Sequence, residues 1–164
     1  DILVSYGDII YGVPVLEKVM ESSNGASVVV DDGWYRYWSA RCTDPLDDAE
    51  TLVLDKEGYL AEIGQKTTDI SKIQSQYIGL MSFKEKGLVS LLETSREALE
   101  RTKFGRKLWR TDRDYYKMYM TDLLQGMVDE GCKIKALHIQ RGWYEVDCLN
   151  DLKLAEKGMI DNII

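Results

Sequence analysis

The run Ala26-Ser27-Val28-Val29-Val30 constrains this chain more than any other segment. Successive strand residues point to opposite faces, so an unbroken β-branched stretch needs cover on both sides and belongs in a sheet buried between layers. Upstream, residues 2–10 read as a second buried strand. Residues 13–23 read as a helix with Val15, Leu16, Val19 and Met20 on one face, and Pro14 sits in its first turn, where a missing amide proton costs little. Asn24-Gly25 is a turn signal. The first thirty residues therefore form a β-α-β unit.

The remainder continues the alternation. Residues 51–55 and 59–65 flank Lys56-Glu57-Gly58 as a β-hairpin with Gly58 in the left-handed position. Residues 75–83 read as a strand and 84–102 as a helix, and the charged stretch 101–113 reads as exposed loop. Residues 115–130 read as a helix with Met118, Leu123, Leu124, Met127 and Val128 on its apolar face and Gly131 as its C-cap. Strands at 134–139 and 143–146 and a short helix at 149–157 follow. The expectation is one mixed α/β domain over residues 1–164, with no internal repeat and no linker.

Composition narrows the function. The chain has 164 residues, 45% hydrophobic and 30% charged, with a net charge of -7. That balance describes a globular protein and argues against a nucleic-acid groove of broad positive potential. Cys42, Cys132 and Cys148 are far apart, and His138 is the lone histidine, inside a strand pattern. Neither a structural zinc site nor a Ser-His-Asp or Cys-His arrangement is expected. No apolar run reaches membrane-spanning length, so the expected location is the cytoplasm, with no membrane partner.

Two aspartates carry the first chemical reading. Asp8 closes Ile2-Leu3-Val4-Ser5-Tyr6-Gly7-Asp8, and Asp147 closes Trp143-Tyr144-Glu145-Val146-Asp147. Carboxylates that end separate strands of an open α/β sheet can converge on one crevice, and two such oxygens suit Mg²⁺ and phosphoryl or nucleotidyl transfer. The alternative for each is a helix cap or turn. Glu145 lies two residues before Asp147, so on a strand both carboxylates share a face, an arrangement that is costly unless a cation or hydrogen bonds compensate it.

Other candidates compete. Asp31-Asp32 offers a rival metal pair of the kind used by metal-dependent glycosyltransferases, although Gly33 makes a turn the first reading. Lys66 could meet a substrate phosphate as a point charge or be simply solvated. Trp34, Tyr35, Tyr37, Trp38, Trp143 and Tyr144 could cage a quaternary ammonium or pack in the core.

Several motifs in order extend this reading. They are Val4-Ser5-Tyr6-Gly7-Asp8-Ile9-Ile10-Tyr11, Asp44-Pro45-Leu46-Asp47-Asp48-Ala49-Glu50, Glu62-Ile63-Gly64-Gln65-Lys66, Gln76-Tyr77-Ile78-Gly79-Leu80, Met120-Thr121-Asp122-Leu123-Leu124 and Gly142-Trp143-Tyr144-Glu145-Val146-Asp147. Together they resemble the bacterial nucleotidyltransferases, most of all their phosphocholine cytidylyltransferase branch. The resemblance implies a Rossmann-like mixed sheet flanked by helices and transfer of a nucleotidyl group from a nucleoside triphosphate, CTP favoured, to phosphocholine. A sugar-1-phosphate or aminoalkylphosphonate is the alternative acceptor. It also implies Asp8 and Asp147 as Mg²⁺ ligands, Lys66 at the acceptor phosphate, Gln76 and Tyr77 on the acceptor-side strand, and Glu145 and Trp143 toward the acceptor. The glycine-rich loop with its Arg and following Lys-Pro segment has no match here. The resemblance thus implies the C-terminal portion of such a domain, with a sheet incomplete at its N-terminus and surface available for self-association. A binding or assembly module that retained the fold without catalysis is the reading from another class.

Overall fold

The computed structural model describes residues 1–160. In chain order the elements are β1 (Ile2–Ser5), β2 (Ile9–Tyr11), α1 (Val13–Met20), β3 (Ala26–Asp31), α2 (Trp34–Arg41), β4 (Glu50–Leu54), β5 (Leu60–Lys66), β6 (Gln76–Phe83), α3 (Glu85–Lys103), α4 (Met120–Asp129), β7 (Lys135–Ile139), β8 (Trp143–Glu145) and α5 (Leu149–Ile160). Four strands make the main sheet in the order β1-β6-β3-β7; β2-β8 and β4-β5 are separate two-stranded ribbons. β3 runs parallel to β7 and antiparallel to β6, which is in turn antiparallel to β1, so the sheet is mixed.

The valine run explains the layering. Val29 points into a core shared with α1, α2, α5 and β8, whereas Val28 and Val30 point into the opposite core, shared with α3, α4 and the β4-β5 hairpin. All three are fully buried, as a central strand covered on both faces requires.

Four expectations need correction. The single strand at 2–10 is two strands separated by a turn at Gly7 and Asp8. The first half pairs with β6 and the second leaves for β8. The β-α-β unit is consequently split, because β6 lies between β1 and β3. The helix expected from residue 115 begins at Met120, since the carboxylate of Asp122 turns back to accept the Tyr119 amide and fixes the terminus there. The segment read as exposed loop is anchored by fully buried Leu108 and by Trp109, whose ring lies over Gly126 and whose Nε1 donates to Glu130.

Gly58 adopts the left-handed conformation expected of it, with φ of 78°. Two further left-handed glycines matter more for the site. Gly79 (φ 83°) lies where β6 slips register against β3, and Gly64 (φ 80°) lies where β5 slips against β4. Such bulges bend a strand and re-aim its side chains.

Candidate active site

The β2-β8 ribbon brings the aspartates together. Ile9 pairs with Glu145 across it, and the Val146 amide donates to the Asp8 carbonyl at 2.8 Å. Asp8 therefore precedes β2 while Asp147 follows β8, and antiparallel pairing sets the start of one strand beside the end of the other. The expected convergence is present, although not from the carboxyl ends of parallel strands. Asp8, Glu145 and Asp147 each present a carboxylate oxygen within 4.8 Å of the other two.

Arg41 compensates the like charges. Its side chain, only 6% exposed, donates from Nη1 to Glu145 (2.5 Å), from Nη2 to Asp147 (2.9 Å) and from Nε to Asp151 (3.1 Å). Its ring neighbours are Tyr37 and Trp38, over whose faces the guanidinium lies at 5.4 and 5.6 Å. Burial holds the Glu145 carboxyl above the usual carboxylate range despite the pull of Arg41. At Asp151 burial also pushes upward, but the hydrogen bonds from Arg41 and Cys148 outweigh it and the carboxyl lies below its ordinary value. Each arginine contact takes one oxygen of Glu145 or Asp147, and Asp8 accepts no side-chain hydrogen bond among the described residues. One oxygen from each member stays available, so the set fits a hard divalent cation.

The spacing of α2 contained the signal for Arg41. Trp34, Tyr37, Trp38 and Arg41 recur at helical intervals, which puts the arginine on the same inward stripe as three buried aromatics. An aromatic-rich segment gave no earlier reason to read a helix.

A cavity of about 870 Å³ opens beside Glu145, with Lys66 also on its wall. Lys66 donates to the Asp48 and Asp47 carbonyls at 2.9 and 3.3 Å. Gln76 and Tyr77 also line it. Gln76 is fixed by its Nε2 bond to the Glu50 carbonyl (2.7 Å), and Tyr77 stands edge-to-face against Tyr6. Burial and the adjacent Tyr6 push the Tyr77 hydroxyl well above its usual value, so it stays a neutral donor. Arg110 and Arg113, from the segment read as solvated, complete the cationic wall.

Trp143 is not among the cavity residues. It is 1% exposed, packs against Tyr37 and Trp38, and donates its Nε1 to Asp31. The cage is closed to an outside cation, because Arg141 covers the Tyr37 face at 3.9 Å. Burial pushes the Tyr37 hydroxyl up to about 12, and the hydroxyl both donates to the Glu145 carbonyl and accepts its amide. Asp31, the rival metal ligand, is fully buried and accepts from Arg141, from Trp143 and from the Gly33 and Arg141 amides. Asp32 is held by Ser75 and His138. Gly33 closes the Asp31 turn, as its sequence position suggested.

Comparison with known proteins agrees with this architecture. The chain is 33% identical over 154 residues to the CTP:phosphoglutamine cytidylyltransferase of Campylobacter jejuni, covering 94% of this chain and 58% of the relative. The inositol-1-phosphate CTP transferase from T. maritima superimposes with a TM-score of 0.59 at 15% identity, covering 98% of this chain and 55% of that one. A nucleoside-diphosphate-sugar pyrophosphorylase from Vibrio cholerae gives a TM-score of 0.53 at 14% identity, over 93% of this chain and 56% of that one. No protein-family model matches. The chain thus spans a little over half the length of these relatives. No described helix is long and apolar enough to cross a membrane.

Proposed function

Because the chain belongs to the nucleotidyltransferase family, we propose that its carboxylate trio and adjoining cavity form the acceptor side of an active site joining CMP from CTP to a small phosphorylated acceptor. The observation that carries this reading is the gathering of Asp8, Glu145 and Asp147, of which Glu145 lines the same cavity as Lys66. In the reaction an acceptor phosphate oxygen attacks the α-phosphorus, the new oxygen–phosphorus bond forms, and the bond to the β-phosphate oxygen breaks to release pyrophosphate. No protein nucleophile is needed, and positioning with electrostatic stabilisation supplies the catalysis.

Lys66 has a third ammonium proton beyond its two carbonyl bonds and turns it to the acceptor phosphate. Gln76 and Tyr77 shape the wall beneath the acceptor, and neutral Tyr77 cannot act as a base at physiological pH. Glu145 is clamped by Arg41, so it orients the rim rather than moving a proton. Asp8 and Asp147 would hold Mg²⁺, whose charge would offset that of the phosphates when bound.

The test is pyrophosphate release by the intact protein with Mg²⁺, CTP and each acceptor of a panel: phosphocholine, phosphoglutamine, an aminoalkylphosphonate and hexose-1-phosphates. Release should require all three components. Asp147→Ala should lower kcat by at least about 100-fold, the scale of losing one group that stabilises transition-state charge. Full activity in that variant would remove the metal assignment. Release with no acceptor in the panel would favour the non-catalytic module instead.

A further inference from the structure

The four carboxylates on the cavity wall are not equivalent. Asp48 accepts from Trp38 Nε1, Asp122 from Arg113 and the Tyr119 amide, and Glu145 from Arg41. Glu50, which opens β4 opposite Lys66, accepts no side-chain hydrogen bond and makes no ion pair among the described residues. Burial raises its pKa, opposed by the fields of Lys66 and Arg113. A half-buried carboxylate in that condition is improved by any cationic group that reaches it.

The cations divide the same way. Arg110 donates from Nε and Nη2 to Asp129 and from Nη1 to Glu62. Arg113 has its guanidinium carbon over the Tyr119 ring, 3.9 Å from the centroid, and among the described residues uses only Nη1, toward Thr111 and Asp122. Its Nε and Nη2 have no partner among the described residues. These two atoms form the side-on edge with which a guanidinium grips a carboxylate through two parallel bonds.

Among the described residues the cavity therefore carries one carboxylate that no side chain pairs with and one guanidinium edge without a partner, besides the Lys66 ammonium. Phosphocholine would leave the Arg113 edge without an anion, and a sugar phosphate would leave Glu50 without a cation. We propose that the cavity selects a phosphorylated α-amino acid, with Lys66 at the phosphate, Glu50 at the α-ammonium and the Arg113 edge at the α-carboxylate. This inference rests on the nucleotidyl-transfer reading above and makes Glu50 and Arg113 its specificity-determining residues.

The test is a comparison of kcat/KM for phosphorylated acceptors that carry both α-groups, only the cation or only the anion. Phosphoglutamine and O-phosphoserine carry both α-groups, phosphoethanolamine and phosphocholine only the cation, and phosphoglycolate only the anion. Acceptors with both groups should lead by about 10- to 100-fold, the range expected for one hydrogen bond to a charged group. Glu50→Gln should collapse the preference for O-phosphoserine over phosphoglycolate, and Arg113→Lys the preference for O-phosphoserine over phosphoethanolamine. A change in ratio separates recognition from a structural role, which would lower every acceptor alike. A lead for phosphocholine or phosphoethanolamine, or equal losses across the panel, overturns the inference while leaving nucleotidyl transfer in place. If no acceptor is turned over, the nucleotidyl-transfer reading fails, and ligand-observed NMR of the same panel decides the cavity's selectivity. O-phosphoserine or phosphoglutamine bound more tightly than the one-group compounds, and weakened by Glu50→Gln, sustains it; no such preference ends it.

Discussion

At Arg41 one guanidinium holds three carboxylates from two later elements of the chain, β8 and α5 together with the residue between them. The Asp151 side chain at the bottom of this cluster is 5% exposed, so removing the arginine strands a buried negative charge. Breaking such a pair by deleting one partner costs about 3–5 kcal/mol, far above the 0–1 kcal/mol typical of a surface pair. Arg41→Met should lower the urea unfolding free energy by that amount. The charge at the rim changes in the opposite sense: Glu145 and Asp147 lose their internal cation. A Mn²⁺ titration followed by electron paramagnetic resonance should therefore show no weaker ion binding per folded molecule. Loss of stability together with loss of ion affinity would mean that Arg41 builds the trio rather than neutralising it.

Among the elements, those set by local pattern were legible and those set by distant partners were not. The valine strand, the Gly58 hairpin and the Gly131 cap each follow from a few adjacent residues, and each stands as expected. The split at Gly7 and Asp8 depends on β8, more than 130 residues away, which supplies partners that β6 cannot. The same holds for the site. Asp8, Glu145 and Asp147 could be picked out by residue type and spacing, whereas Arg113 needed the fold that turns its segment onto the cavity. Within Gln76-Tyr77-Ile78-Gly79-Leu80 the need for Gly79 lies in a distant partner, Tyr6. A Cβ there would stand 2.6 Å from the Tyr6 ring on a backbone with positive φ. Gly79→Ala should cost about 1–3 kcal/mol from the backbone alone, and more from displacing Tyr6 against Tyr77 on the cavity wall. Gly7→Ala is the matched control, since a Cβ there meets nothing within 4 Å, and it should stay within about 0.5 kcal/mol. Equal urea midpoints for the two variants would refute the close-approach argument.

The sheet as a body has two unlike edges. Beyond β7 the hairpin folds over, with Leu60 donating to the Ile134 carbonyl and Ala136 to that of Gly58, so that edge is partly occupied. Among the described residues β1 pairs only with β6, and Ile2 and Leu3 beside its open edge are 39% and 40% exposed. An unpaired strand with exposed apolar side chains is a template for another strand. Net charge of -7 on every copy opposes association, and this repulsion weakens as the screening length contracts from about 10 Å at 0.1 M salt to about 3 Å at 1 M. Self-association through β1 should consequently rise with both protein concentration and salt, and light scattering coupled to gel filtration should record the increase in mass. Leu3→Lys adds a charge at the edge and should hold the protein monomeric under the same conditions, while leaving the fully buried interior untouched. A parent that remains monomeric at high salt and high concentration would show that the β1 edge is too short or too twisted to pair. Association that persists in Leu3→Lys would locate the contact elsewhere on the surface.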